Sequence, residues 1–288
     1  MPRLVRLLFW LVSLAVVCGA TVLPAGAVDE PPLVSAWAAD HASRARLLGG
    51  HLARSEPTPA LLAGLEITLD DGWKTYWRHP GASGVPPRFD WSKSDNLAGA
   101  VVLFPAPQRF SEADGETIGY KKRVVFPIEL TPKDPTRPIT LHLDLEYGAC
   151  REVCIPVQAT LTLKIPVEVS TKAGDDALTR ALDRVPRPDA TDRDPKVVGV
   201  KVDLVGPKPQ IVIDVAVPGG AKSADAFLEA PEGLWIPMTQ RVPGRPAGKA
   251  RFIVDLTDGA GLGDLKGKTI RLTLVSDSGQ SESTFMFE

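Results

Sequence analysis

Apolar and polar residues alternate one by one along much of this chain, which is the period of a strand with one dry face and one wet face. Leu65, Ile67 and Leu69 alternate with Glu66, Thr68 and Asp70. Leu141, Leu143 and Leu145 alternate with His142, Asp144 and Glu146, and Leu161, Leu163, Ile165 and Val167 keep the same rule. From about Leu47 to Val169 the pattern predicts short strands, separated by the turn-rich stretches His79–Pro87, Phe104–Phe110 and Ser111–Tyr120. The last of these is long enough to be expected as a loop projecting from a sheet. An antiparallel sandwich is the architecture this spacing predicts.

The pattern then breaks. Residues 170–196 are polar, carry Pro186, Pro188 and Pro195, and hold one helical repeat in Ala177, Leu178, Ala181 and Leu182. They read as a linker with a short helix. Alternation resumes in Val198, Val200 and Val202, then in Ile211–Val217, Ala250–Leu256, Ile270–Val275 and Thr284–Phe287. About seven short strands in some 90 residues is the size of an immunoglobulin-like sandwich. The expected fold class is therefore all-β, with two immunoglobulin-like β-sandwich domains at 28–169 and 197–288. The second has no cysteine, no histidine and no catalytic motif, so a spacer or docking module is expected there.

Residues 1–27 do not belong to that pattern. Arg3 and Arg6 precede the apolar run Leu7–Val17, and Ala25-Gly26-Ala27 offers small residues for cleavage, the layout of a secretory signal peptide. Cys18 follows Val17, where a lipoprotein signal needs a small residue, so its thiol is expected to leave with the leader. Cleavage removes two arginines and no acid, leaving 31 basic side chains against 35 acidic ones. That balance gives no electrostatic footprint for nucleic acid, and no later stretch reaches the roughly 18 apolar residues of a membrane span. The expected product is an exported chain in an oxidising compartment, with two cysteines left, Cys150 and Cys154.

Those two cysteines are the candidate chemistry. Residues four apart on an extended strand lie about 13 Å from each other, whereas a disulfide needs α-carbons roughly 4.4–6.8 Å apart. The backbone must reverse between them, and a hairpin loop at Arg151–Val153, between strands over Ile139–Tyr147 and Pro156–Val167, would do so. Parity places Cys150 with His142, Asp144 and Glu146, and Cys154 with Gln158, Thr160 and Thr162, so both are expected on the polar face, within a partner's reach. As a staple the bond is poorly placed, because closing about five residues yields only about 2 kcal/mol. Redox exchange is the favoured reading. A structural clip on a non-catalytic adaptor is one alternative. Two thiolates holding Cu(I), as in a copper-tolerance protein, is another, but His41, His51, His79 and His142 give few further ligands. No cofactor and no resident metal are expected.

Several separated segments also carry a family resemblance: Gly72-Trp73-Lys74-Thr75-Tyr76-Trp77-Arg78-His79-Pro80-Gly81, Phe104-Pro105-Ala106-Pro107-Gln108-Arg109-Phe110, Ile118-Gly119-Tyr120 with Val125-Phe126-Pro127, and Tyr147-Gly148-Ala149-Cys150 through Cys154-Ile155-Pro156. In this order they resemble the amino-terminal periplasmic domain of the DsbD/ScsB disulfide reductases, over about Arg46–Val169. The resemblance implies an immunoglobulin-like sandwich and, in the ScsB branch, a second one. It implies that Cys150 and Cys154 cycle between dithiol and disulfide, with Cys154 forming the mixed disulfide, in a periplasmic carrier of the protein-disulfide reductase type. It also implies a cap loop over the cysteines, for which Ser111–Tyr120 holds the matching place. Full-length relatives continue into membrane and thioredoxin-like domains, so the expected partners act in trans: a membrane electron transporter or thioredoxin-like protein as donor, and oxidised periplasmic proteins as acceptors. Arg151 would favour a thiolate at its neighbour and Glu152 would oppose one. Tyr76 and Tyr147 are candidates for the pocket wall, with core packing equally open to Tyr147, whose parity follows Leu145 inward, and Arg78 and His79 are candidates for a turn or a partner contact.

Overall fold

The computed structural model describes residues 33–52, 60–81, 83–112, 115–167, 175–188, 192–203, 208–231, 234–257 and 262–287. The expected signal peptide at 1–27 lies outside them, as does part of the expected linker. The first half of the chain forms strands β1 (Ala38–Asp40), β2 (Ser43–Leu52), β3 (Ala60–Leu69), β4 (Lys74–Gly81), β5 (Arg88–Asp90) and β6 (Leu97–Val102). They are followed by β7 (Gln108–Glu112), β8 (Gly115–Lys121), β9 (Arg123–Pro132), β10 (Ile139–Cys150) and β11 (Cys154–Ile165). One sheet runs β1-β2-β3-β9-β6 and the other β11-β10-β4-β8-β7, with β5 paired to β10. Every pairing is antiparallel.

The alternation in the sequence becomes the core between these sheets. Leu47, Leu65, Ile67, Phe126 and Ile128 come from the first sheet, and Leu141, Leu143, Leu145, Leu161 and Leu163 from the second. The longest ladder joins β10 to β11, from Ile139↔Ile165 up to Cys150↔Cys154 at its tip. A one-residue slip would turn every leucine of either strand to the wrong face, so the pattern pins the register that brings the cysteines opposite each other.

Helix α1 (Asp175–Leu182) seats Leu178 and Ala181 against Leu48 and Val125, and the Ala106 amide donates to the Arg184 carbonyl at 2.7 Å just beyond it. The remaining chain forms β12 (Lys196–Asp203), β13 (Gln210–Ala216), β14 (Asp225–Glu229), β15 (Gln240–Arg241) and β16 (Lys249–Asp255). The short helix α2 (Leu262–Leu265), β17 (Thr269–Ser276) and β18 (Gly279–Met286) complete it. Sheets β12-β13-β16-β15 and β14-β17-β18 enclose a second apolar cluster that includes Ile211, Ile213, Phe252, Val254, Ile270 and Leu272. The chain is thus all-β, with immunoglobulin-like sandwich architecture, as its periodicity predicts.

Three expectations change. The stretch Ser111–Tyr120 is not a loop: β7 and β8 make a hairpin from Gln108↔Gly119 to Glu112↔Gly115. Its alternation is hidden because Thr117, Ile118 and Tyr120 are all buried. The stretch from His79 is not a turn at its start, since β4 continues through Arg78, His79 and Pro80 to Gly81. Pro80 has no amide to give the ladder, and the β4–β8 register shifts between Tyr76 and Gly81 to pass it. Third, the second pair of sheets contributes to the first core: Phe227 of β14 packs into that cluster, its ring centroid 5.8 Å from that of Trp77.

Candidate functional site

The tip of the β10–β11 ladder carries a disulfide between Cys150 and Cys154, with α-carbons 4.1 Å apart. Arg151, Glu152 and Val153 form the loop and are exposed, Val153 at 68%. Cys154 is exposed as well. Cys150 is not: only 1% of its surface is accessible, which corrects the expectation that both sulfurs lie open on the polar face. The parity argument places Cys150 on the outer face of its sheet, but that face is covered at this end.

Tyr76 supplies the cover. It lies on β4, two residues after Lys74, the residue directly paired with Cys150. Its ring lies across Gly148, where a β-carbon would come within 3.2 Å of the ring, and beneath Gly84, where one would come within 2.7 Å. A side chain at Gly84 would force Pro80 or Tyr76 to move, and one at Gly148 would ask the ring to give by a few tenths of an ångström. The Tyr76 hydroxyl reaches Cys154 Sγ at 3.1 Å. Burial, and secondarily the Glu112 carboxylate, push the Tyr76 pKa above its ordinary value, so the phenol keeps its proton and can donate to sulfur.

Behind the tyrosine is a charged cluster. Lys74 is 3% exposed, and its ammonium donates to Glu112 Oε1 and, at 3.0 Å, to Thr117 Oγ1. It also lies 5.6 Å from the centre of the Tyr76 ring and 5.9 Å from that of Phe110. The β7–β8 hairpin brings both Phe110 and Glu112. Arg151 leans the other way, its guanidinium 5.7 Å from the centre of the Trp73 ring.

The other candidates separate. Tyr147 points into the core, its hydroxyl 2.8 Å from Ser43 Oγ, and takes no part in the sulfur environment. Arg78 serves neither a turn nor an outside partner: it makes two hydrogen bonds to Glu229 of β14, at 2.7 and 2.9 Å, and one at 2.5 Å to Glu282 of β18. Burial works against its charge, and the Glu229 and Glu282 carboxylates outweigh it and raise its pKa. Arg109 of β7 likewise grips Asp225 at 2.8 and 3.0 Å. His79 is pushed below its ordinary pKa by burial, with Arg78 adding to the effect and Glu229 opposing it. Among the described residues, no group of three or more His, Cys, Asp or Glu side chains converges as a metal site.

Sequence reasoning missed Lys74 and Glu112 as parts of the site. A lysine inside a strand reads as solvated, and nothing local announces that a hairpin some forty residues on will cover it.

Residues 54–166 match the family model of the N-terminal region of the thiol:disulfide interchange protein DsbD. The crystal structure of the N-terminal periplasmic domain of ScsB from Proteus mirabilis matches 89% of this chain and 98% of its own, with a TM-score of 0.68 at 24% identity. That likeness shows the fold. A curated protein named imidazole glycerol phosphate synthase subunit HisF, from Oleidesulfovibrio alaskensis, is 33% identical over 96 residues. The chain spans a third of that relative's length, and the overlap carries no argument here.

Proposed function

We propose, from a first sandwich of the DsbD N-terminal type, that this chain is a periplasmic electron carrier whose redox centre is the Cys150–Cys154 pair. The observation that carries the reading is the unequal exposure of the two sulfurs, since a mixed disulfide needs one sulfur in the open and a second, sheltered one to complete the exchange. In loading, a donor thiolate attacks Cys154 Sγ, the bond to Cys150 breaks, and its electron pair leaves on Cys150 as a thiolate. The donor's second thiolate then attacks the donor sulfur and frees Cys154. In unloading, the Cys154 thiolate attacks an acceptor disulfide, and the Cys150 thiolate resolves the mixed disulfide and releases reduced acceptor. Two electrons move in each half-cycle.

The donor in this scheme is a membrane electron transporter or thioredoxin-like protein acting in trans, and the acceptors are oxidised periplasmic proteins. Residues 28–169 and 197–288 act as separate domains of the carrier, the second supporting the strands that frame the site. Arg78 and Arg109, which join β4 and β7 to β14 and β18, favour that role.

Equilibration of the purified protein with glutathione buffers, followed by thiol counting, tests the proposal. A reduction potential near or above about −270 mV supports a carrier, and one well below about −300 mV marks a structural bond and overturns the reading.

A further inference from the structure

Lys74 is an expensive residue for a hairpin tip to conceal. An ammonium taken from water is costly unless it is paired and its hydrogens are satisfied. Its partners are few. Among the described residues its acceptors are Glu112, whose side chain is one-third exposed, and Thr117. An ammonium has three hydrogens to donate, and these two acceptors take two of them. The ladder places Lys74 directly across from Cys150, and residues paired across antiparallel strands project from the same face.

We propose that Lys74 is a positioning residue that sets a positive charge against the Cys150 sulfur when the disulfide opens, with Glu112 as the counter-charge that moderates it. This rests on the carrier reading above. When the Cys154–Cys150 bond breaks, Cys150 departs with the electron pair, and the Lys74 ammonium meets the new thiolate. A leaving thiol of lower pKa leaves faster, and a stabilised thiolate favours the reduced form. The β7–β8 hairpin thereby does more than cover the cysteines: through Glu112 it adjusts the charge they meet.

Other ionisable groups face the pair. Tyr76 lies on β4, Lys121 on β8 is paired with Lys74, and Glu146 on β10 is paired with Arg88 of β5. Arg151 and Glu152 occupy the exposed loop, where solvent screens them. Lys121 spends its charge over the Phe110 ring at 4.4 Å, and Glu146 accepts from Gln158 at 3.1 Å. Lys74 is the group that is both buried and paired with Cys150.

The test isolates Cys150 in a Cys154→Ser background and follows thiolate ultraviolet absorbance against pH. All three tyrosines have pKa values raised by burial, which keeps their ionisation clear of the thiol's. Lys74→Met, close in length and apolar, should raise the Cys150 pKa by about one unit, and Glu112→Gln should lower it by a similar amount. Lys74→Arg should restore the parent value. In the two-cysteine protein the same variants should shift the reduction equilibrium with glutathione about tenfold, Lys74→Met against the reduced form and Glu112→Gln toward it.

If both variants move the pKa in the same direction, or neither moves it, Lys74 is only a paired core residue and the proposal is overturned. The absorbance titration does not require a functional pair. A structural disulfide would therefore defeat the carrier reading while leaving the Lys74 result to stand or fall by itself.

Discussion

Two hairpins of this molecule are built alike and end differently. The β10–β11 ladder ends at Cys150↔Cys154 with a three-residue loop, and the β17–β18 ladder ends at Ser276↔Gly279 with Asp277 and Ser278 between. The second tip is polar and finished by hydroxyl groups: Ser276 Oγ lies 2.9 Å from Ser278 Oγ, and the Asp277 amide donates to Ser223 Oγ at 3.0 Å. The first tip has a cover of Tyr76 and Gly84 and a hidden ammonium beside it. Both hairpins are fixed by alternation along their own strands. What makes one a candidate for chemistry comes from β4, β7 and β8, which lie beside it. A reactive tip is therefore a property of the neighbours it is given.

That contrast can be broken at several points. The largest effect is expected at the sulfurs. Cys150→Ser and Cys154→Ser should each abolish turnover of a fluorescent disulfide peptide, and on non-reducing gels only Cys150→Ser should accumulate a mixed disulfide. Ser276→Ala and Ser278→Ala at the other tip should leave turnover unchanged. If Cys154→Ser is the variant that traps, the proposed order of attack is reversed.

Arg78 joins the two regions, and Arg78→Met would take the guanidinium from Glu229, whose side chain is 12% exposed, and leave Glu282 with Arg271 at 3.4 Å. Urea unfolding should show a loss of about 2 kcal/mol or more. A loss of only a few tenths would mean that the two sandwiches hold together by Phe227 and Trp77 without this pairing. At the cover, Tyr76→Ala in the Cys154→Ser background should speed alkylation of Cys150 about tenfold by removing the need for local opening. Tyr76→Phe, which keeps the ring, should change it much less.

His79 should show the smallest effect. Burial holds its folded pKa below 6.5, so as pH falls the unfolded chain takes up a proton before the folded one does. The stability tied to this group is complete above about pH 6.5 and is lost as pH drops toward the folded value. His79→Gln should flatten part of the acid-side decline in melting temperature, and parallel curves for the two proteins would refute the assignment.

Much of the fold was legible because a period of two needs only a strand's own residues. Leu141, Leu143 and Leu145 announce their sheet face whatever stands opposite. The cysteine hairpin was legible for the same reason, since alternating strands run into Cys150 and out of Cys154 and the backbone must reverse between them. Burial of Cys150 was not, because parity names a face and cannot say what lies over it. Tyr76, which lies across Gly148 and reaches Cys154 Sγ, comes from elsewhere in the chain. Arg78 was misread because its partners, Glu229 and Glu282, lie more than 150 residues away, and a charge beside a proline looks like a turn until they are placed. The β7–β8 strands were lost to the opposite signal, since Thr117 and Ile118 are both covered and burial on two faces erases alternation.

The ladder beneath the cysteines has one more effect. Its rungs from Ile139↔Ile165 to Ala149↔Ile155 are backbone pairings that owe nothing to the sulfur–sulfur bond, and they keep the two strands side by side up to the tip. When the bond opens, each thiol therefore stays beside the other at an effective concentration far above that of any diffusing competitor. A protein caught on Cys154 would face an internal rival from the moment of capture. If the pair exchanges as proposed, such encounters would be brief, and a lasting adduct would signal that Cys150 had been removed or oxidised.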